Sequence, residues 1–162
     1  MSTATERTAT AARPPRRRAA AAAAAGFIAI AGFQAALALG APLGNAAWGG
    51  ANAHLAPGLR IASGVTVAIW VLAALVVLGR TGYRVSKIPF RVCLYGTWVL
   101  FGYLSLGTLM NLASRSNWER FLQAPIALIL AVLCLLVARA ATPPPRDSHQ
   151  VTRDHLTSIH RC

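Results

Sequence analysis

Only four carboxylates occur in this 162-residue chain: Glu6, Glu119, Asp147 and Asp154. Acid–base chemistry or proton coupling inside a membrane needs an ionisable side chain at that depth. None of the four falls within a long apolar run. That argues against proton-driven export and against isomerase chemistry on a buried acid. The cysteines, Cys93, Cys134 and Cys162, form no C-x-x-C pair, and the last lacks the surroundings that prenylation needs. They read as free thiols. His149, His155, His160 and Cys162 are metal-ligating types, but their spacing fits no closed zinc pattern. No catalytic residue, metal or cofactor is expected, and the chain does not read as an enzyme.

What remains is a set of polar residues gathered by sequence near two connections. Gln34, Asn111 and Gln123 lie near the ends of apolar runs, and Asn45, Asn52, His54, Arg60, Arg115 and Glu119 lie in or beside the connections. With Trp48 and Trp118 as apolar walls, they could line a shallow pocket for a small polar ligand or a lipid headgroup. The binding candidates are Gln34, Trp48, Arg60, Asn111, Arg115 and Glu119. A plainer reading stands beside this one. Gln34 and Asn111 would serve as interhelical polar glue, and the tryptophans would anchor the membrane interface. Glu119 would close a capping box with Ser116 and pair with Arg60 or Arg115.

The elements that must position these residues are four apolar runs, at about 19–41, 57–79, 89–112 and 121–138. Each is close to the ~20 residues a helix needs to cross a bilayer. The chain is 56% hydrophobic and 12% charged, with a mean hydropathy of +0.51. The expected fold is all-α: an antiparallel four-helix transmembrane bundle over residues 19–140. Flanking it are a basic N-terminal tail (1–18) and a polar C-terminal tail (141–162), both read as disordered.

Charge sets the orientation. The net charge is +12, and thirteen of the sixteen basic residues lie in the two tails or the middle connection. Only Arg60, Arg115 and Arg120 fall on the other side. By the positive-inside rule both termini are cytoplasmic in a plasma (inner) membrane protein, and the first and third connections face outward. The arginine run 16–18 then reads as an orientation signal touching anionic lipid. Nucleic acid is not an expected partner. A competing reading takes the first run as a signal peptide cleaved after Ala36-Leu37-Ala38.

Within the runs, Gly32, Ala36 and Gly40 form a small-residue stripe of the kind that lets helices approach closely. The third run, with Tyr95, Thr97, Trp98, Tyr103, Ser105 and Thr108, is the most polar, so it is expected to face the bundle interior. Helix two is expected to end at Gly79-Arg80. Pro125 is expected to bend the start of helix four. The uncharged, Gly-rich first connection is expected to fold back on the bundle.

The run Ala35-Ala36-Leu37-Ala38-Leu39-Gly40-Ala41-Pro42-Leu43-Gly44 leads into Ala47-Trp48-Gly49-Gly50. Leu55-Ala56-Pro57-Gly58-Leu59-Arg60, Met110-Asn111-Leu112-Ala113-Ser114-Arg115-Ser116 and Glu119-Arg120 follow. Through these segments, residues 24 to 140 resemble a family of small bacterial four-span membrane proteins of unknown function. The resemblance implies the fold and carries no activity. The expected function is binding of a small ligand, lipid or partner helix at the outer face. An oligomeric small-solute transporter or channel is the alternative. Expected partners are membrane lipid and a second copy or another membrane protein.

Overall fold

The computed structural model describes residues 15–83 and 88–139. Four helices follow one another: α1 (Pro15–Ala38), α2 (Pro57–Arg80), α3 (Phe90–Ala113) and α4 (Ala124–Ala138). A 3-10 turn (Gly44–Ala46) sits in the first connection, and a π turn (Glu119–Gln123) runs into α4. The four helical segments are each long and apolar enough to cross a membrane. The chain is an all-α helical bundle of the multi-pass membrane type.

Proline opens the helices. Pro57 occupies the first turn of α2, where its missing N–H costs nothing. Pro89 immediately precedes α3 in an extended conformation. α1 begins at Pro15, so residues 15–18, expected in the tail, form its first turn. Glycine closes two of them. Gly40 (φ +95°) and Gly82 (φ +78°) both take the left-handed conformation. At each, paired backbone bonds close the last turn: Gly40 to Leu37 O and Ala41 to Ala36 O; Gly82 to Gly79 O and Tyr83 to Leu78 O. These are Schellman ends. The glycine that stops α2 is therefore Gly82, while Gly79 lies within the helix.

Successive helices run antiparallel. One end of the bundle, the loop end, gathers the first and third connections. The other, the terminal end, gathers the start of α1, the end of α2 and the start of α3. α1 packs chiefly on α2, and α3 on α4. The core joins Ala20, Ala23, Ala24, Phe27 and Ala31 of α1 to Trp70, Ala73, Ala74 and Val77 of α2. Leu104 of α3 and Leu130, Ala131, Cys134 and Val137 of α4 complete it. The α1 positions recur at helical spacing on one face. Phe27 stacks on Trp70 at 5.5 Å between ring centroids.

Two expectations about packing are corrected. The close helix–helix approaches do not run through Gly32, which has nothing within 4 Å of an added Cβ, while at Gly40 of the same stripe an added Cβ would lie 3.1 Å from the Arg60 guanidinium. They use Gly26, where a Cβ would lie 2.6 Å from Leu130 Cδ2, and Gly96, where it would lie 2.9 Å from Val76 Cγ1. α3 is not the interior helix either; it is the least buried of the four. Its hydroxyls do not account for this, since Thr97 and Thr108 are buried. Thr97, Ser105 and Thr108 donate to the carbonyls of Cys93, Phe101 and Leu104 of their own helix, at 2.7–2.8 Å, which lets the two threonines be buried without partners on other helices. The aromatic residues Tyr95, Trp98 and Tyr103 point outward.

Candidate functional site

The loop end is held by side chains that reach back across the connections. Each long helix ending here presents unsatisfied carbonyls. Arg60, in the first turn of α2, donates from Nε to Ala38 O at the end of α1, at 3.1 Å. Arg120 does the same for α3, from Nε to Leu112 O at 3.1 Å. A cation at a helix C-terminus also meets the negative end of the dipole. The two arginines play equivalent roles in the two helical hairpins.

Between these clamps lies a strained turn. Trp48, Gly49 and Gly50 are successively left-handed, with φ of 54°, 82° and 70°. For a tryptophan this conformation is rare and costs roughly 1–2 kcal/mol. Such strain persists only where surroundings over-determine it. Here they do. Trp48 Nε1 donates to Ser63 Oγ at 3.1 Å, and Ser63 is fully buried. The Gly49 amide donates to Glu119 Oε1 at 2.7 Å. Gly50 sits where an added Cβ would lie 2.9 Å from Asn45 O and 3.0 Å from Ser116 Oγ. Gln123 Nε2 donates to Ala46 O in the same connection. The first connection does fold back on the bundle, as its composition suggested.

Glu119 is the only acidic side chain among the described residues. Its carboxylate takes the Gly49 amide on one oxygen and the Ser114 hydroxyl on the other. The Ser114 oxygen in turn accepts the Ser116 amide at 3.1 Å. So the expected Ser116–Glu119 capping box is not formed. Ser114 caps the amide that Glu119 was to cap, and this frees the carboxylate to cross to Gly49. No ion pair of Glu119 with Arg60 or Arg115 forms among the described residues. Arg60 is spent on Ala38, and Arg115 is exposed.

The sequence candidates therefore divide. Trp48, Arg60 and Glu119 belong to one network. Asn111 is half-buried in the last turn of α3, and only its backbone carbonyl takes part, accepting the Ser114 amide at 3.2 Å. Gln34 is half-buried in α1 with a buried Oε1 that has no hydrogen-bond partner. Neither of these, nor Arg115, joins the network through its side chain among the described residues. Ser63, Ser114, Gly49 and Gly50 carry the network and were not picked out as candidates. Only the Gly49-Gly50 pair beside a tryptophan was a usable signal, since paired glycines mark a turn.

The chain matches no protein-family model, no curated protein and no solved structure. Its reading rests on its own residues. Chemically, the loop end is a closed hydrogen-bonded scaffold with an amphiphilic rim. Trp48, Trp118, Phe121, Leu39 and Ile61 are exposed on that rim, and Arg115 stands exposed near them in sequence. Among the described residues no three His, Cys, Asp or Glu side chains gather as a metal site. The C-terminal histidines considered as ligands lie outside the described residues.

Proposed function

We propose that this chain is a non-enzymatic, multi-pass protein of a bacterial inner (plasma) membrane that holds a lipid or a partner helix at its outer face. The carrying observation is Trp48. Its backbone is locked left-handed and its indole N–H is tied to Ser63, yet the residue stays 43% exposed. A strained, tethered aromatic offered to the membrane interface suits an apolar or amphiphilic occupant. A small polar ligand, the third occupant considered, fits less well, because Glu119 and Gln123 are consumed within the scaffold. The charge bias supports a cytoplasmic terminal end and an outward loop end.

Native mass spectrometry of the protein released from mild detergent tests this. The expected result is a discrete extra mass on the protein that Trp48→Ala or Arg115→Gln removes without loss of helicity. A bare monomer, or a mass indifferent to these variants, counts against the outer-face site.

The oligomeric transporter or channel is the second reading, and α3 supports it. Trp98 and Tyr103 lie near the middle of α3, are 42% and 60% exposed, and flank Gly102, which has open space beside it. Lipid tails cannot satisfy an indole N–H or a phenol, so a second copy meeting this face would. A clean dimer that Gly102→Leu dissociates, together with solute flux in proteoliposomes, would move the weight to this reading.

A further inference from the structure

The seam between α1 and α2 has a regular register. On α1, Ala20, Ala24, Phe27 and Ala31 belong to the core in alternating steps of four and three residues. Continued, that stripe takes in Gln34 and Ala38. On α2 the same steps run from Val77 through Ala74, Trp70 and Val67 to Ser63 and Arg60. Such spacing belongs to two helices packed along one seam. Two contacts fix the pairing: Phe27 stacks on Trp70, and Arg60 reaches the Ala38 carbonyl. Between them, Ala31 falls level with Val67, and Gln34 with Ser63.

That last layer is short of partners. Ser63 is fully buried, and its oxygen accepts the Trp48 indole N–H at 3.1 Å. Its own hydroxyl proton meets no acceptor among the described residues. Gln34 Oε1 is buried with no hydrogen-bond partner. A donor without an acceptor and an acceptor without a donor therefore share one layer, and a buried polar group is costly to leave so. The chain beside them is small: Ala35 and Ala38 on α1, Ala62 and Gly64 on α2.

We propose that one buried water accepts the Ser63 proton and donates to Gln34 Oε1, so that Gln34 positions Trp48 through Ser63. A water held by a few polar partners is an ordinary part of a protein interior. Once the Ser63 proton is committed, the oxygen presents its lone pairs to the indole, and each bond in the chain strengthens the next. Gln34 is then a positioning residue for the strained Trp48 turn and does not touch the occupant. This rests on the outer-face reading for the use to which Trp48 is put.

Exchange of the Trp48 indole N–H with heavy water, followed by NMR of the full chain in micelles with labelled tryptophan, reads this relay without any occupant. Gln34→Met keeps the length and removes the acceptor, so it should speed that exchange about fivefold. Ser63→Ala should speed it at least as much, and Gln34→Met should add nothing in that background. Gln34→Glu keeps an acceptor oxygen and should hold exchange near wild type. Trp70, two layers along the same seam, should not respond. If Gln34→Met does not fold, Gln34→Leu takes its place. Unchanged Trp48 exchange overturns the proposal. So does equal acceleration at Trp48 and Trp70, which would mean a loosened seam, and so do additive effects of the two variants. A crystal structure fine enough to show water should place one between Ser63 Oγ and Gln34 Oε1; a direct bond between them overturns the water. The expected exchange pattern in a protein that retains no extra mass supports the relay and counts against the outer-face reading alone.

Discussion

The Gly49 amide and the Glu119 carboxylate meet at 2.7 Å across seventy residues of chain. This bond ties the α1–α2 hairpin to the α3–α4 hairpin at the loop end. Both partners are specific to the task. Gly49 presents its amide from a left-handed turn, and Glu119 has a second oxygen that takes the Ser114 hydroxyl.

Glu119→Ala should therefore lower stability by about 1–3 kcal/mol, because it leaves both donors without an acceptor. Glu119→Gln should recover part of the loss, since its amide oxygen can still accept one of them. Thermal unfolding in detergent micelles reads the order. Identical melting of all three proteins would mean that the carboxylate does not hold the hairpins together.

The two glycines of the turn should respond unequally. Gly49→Ala meets open space, so it adds only the left-handed penalty of about 1–2 kcal/mol. Gly50→Ala adds that penalty and a clash with Asn45 O and Ser116 Oγ. It should be the more damaging of the two by the same unfolding assay. A reversed order would contradict the packing of this turn on Ser116.

Trp48 and Ser63 should be energetically coupled. A double-mutant cycle with Trp48→Phe and Ser63→Ala should return a coupling of about 0.5–1.5 kcal/mol, the worth of one hydrogen bond. Additive effects would show that the indole N–H finds another partner.

Packing inside the bundle gives a fourth test. Gly26→Val pushes against Leu130 and should cost about 1–3 kcal/mol. Gly32→Val, on an open face, should stay within about 0.5 kcal/mol. The opposite order would restore the small-residue stripe that the sequence suggested.

The number, length and direction of the helices were legible in the sequence. A helix that crosses lipid must satisfy its own backbone and show apolar side chains, and both demands write themselves into consecutive residues. Pro57 and Pro89 marked two starts within a residue. The wide turn before α4 was legible in part. Pro125 signalled a distortion, and the structure places it just upstream, with the Ala124 amide reaching back to Glu119 O. Trp48, Arg60 and Glu119 were legible as site residues because charged and aromatic side chains stand out in an apolar chain.

Their partners were not legible, because partner choice is a matter of distance across the fold. Glu119 had a local cap at Ser116 and nearby arginines on offer, and sequence spacing favoured both. Tertiary structure brought a glycine amide within reach and let Ser114 take over the cap. The facing of α3 escaped for a related reason. Its polarity predicted burial, and Thr97 and Thr108 are buried, but Tyr95, Trp98 and Tyr103 stand on the exposed side, and which side meets a neighbour is set by how the helix is turned in the bundle. The sequence alone determined that four helices span and where the charge sits, since lipid acts on each segment separately. Only the tertiary structure decided which side chains meet, because hydrogen bonds between distant residues depend on geometry that no single segment contains.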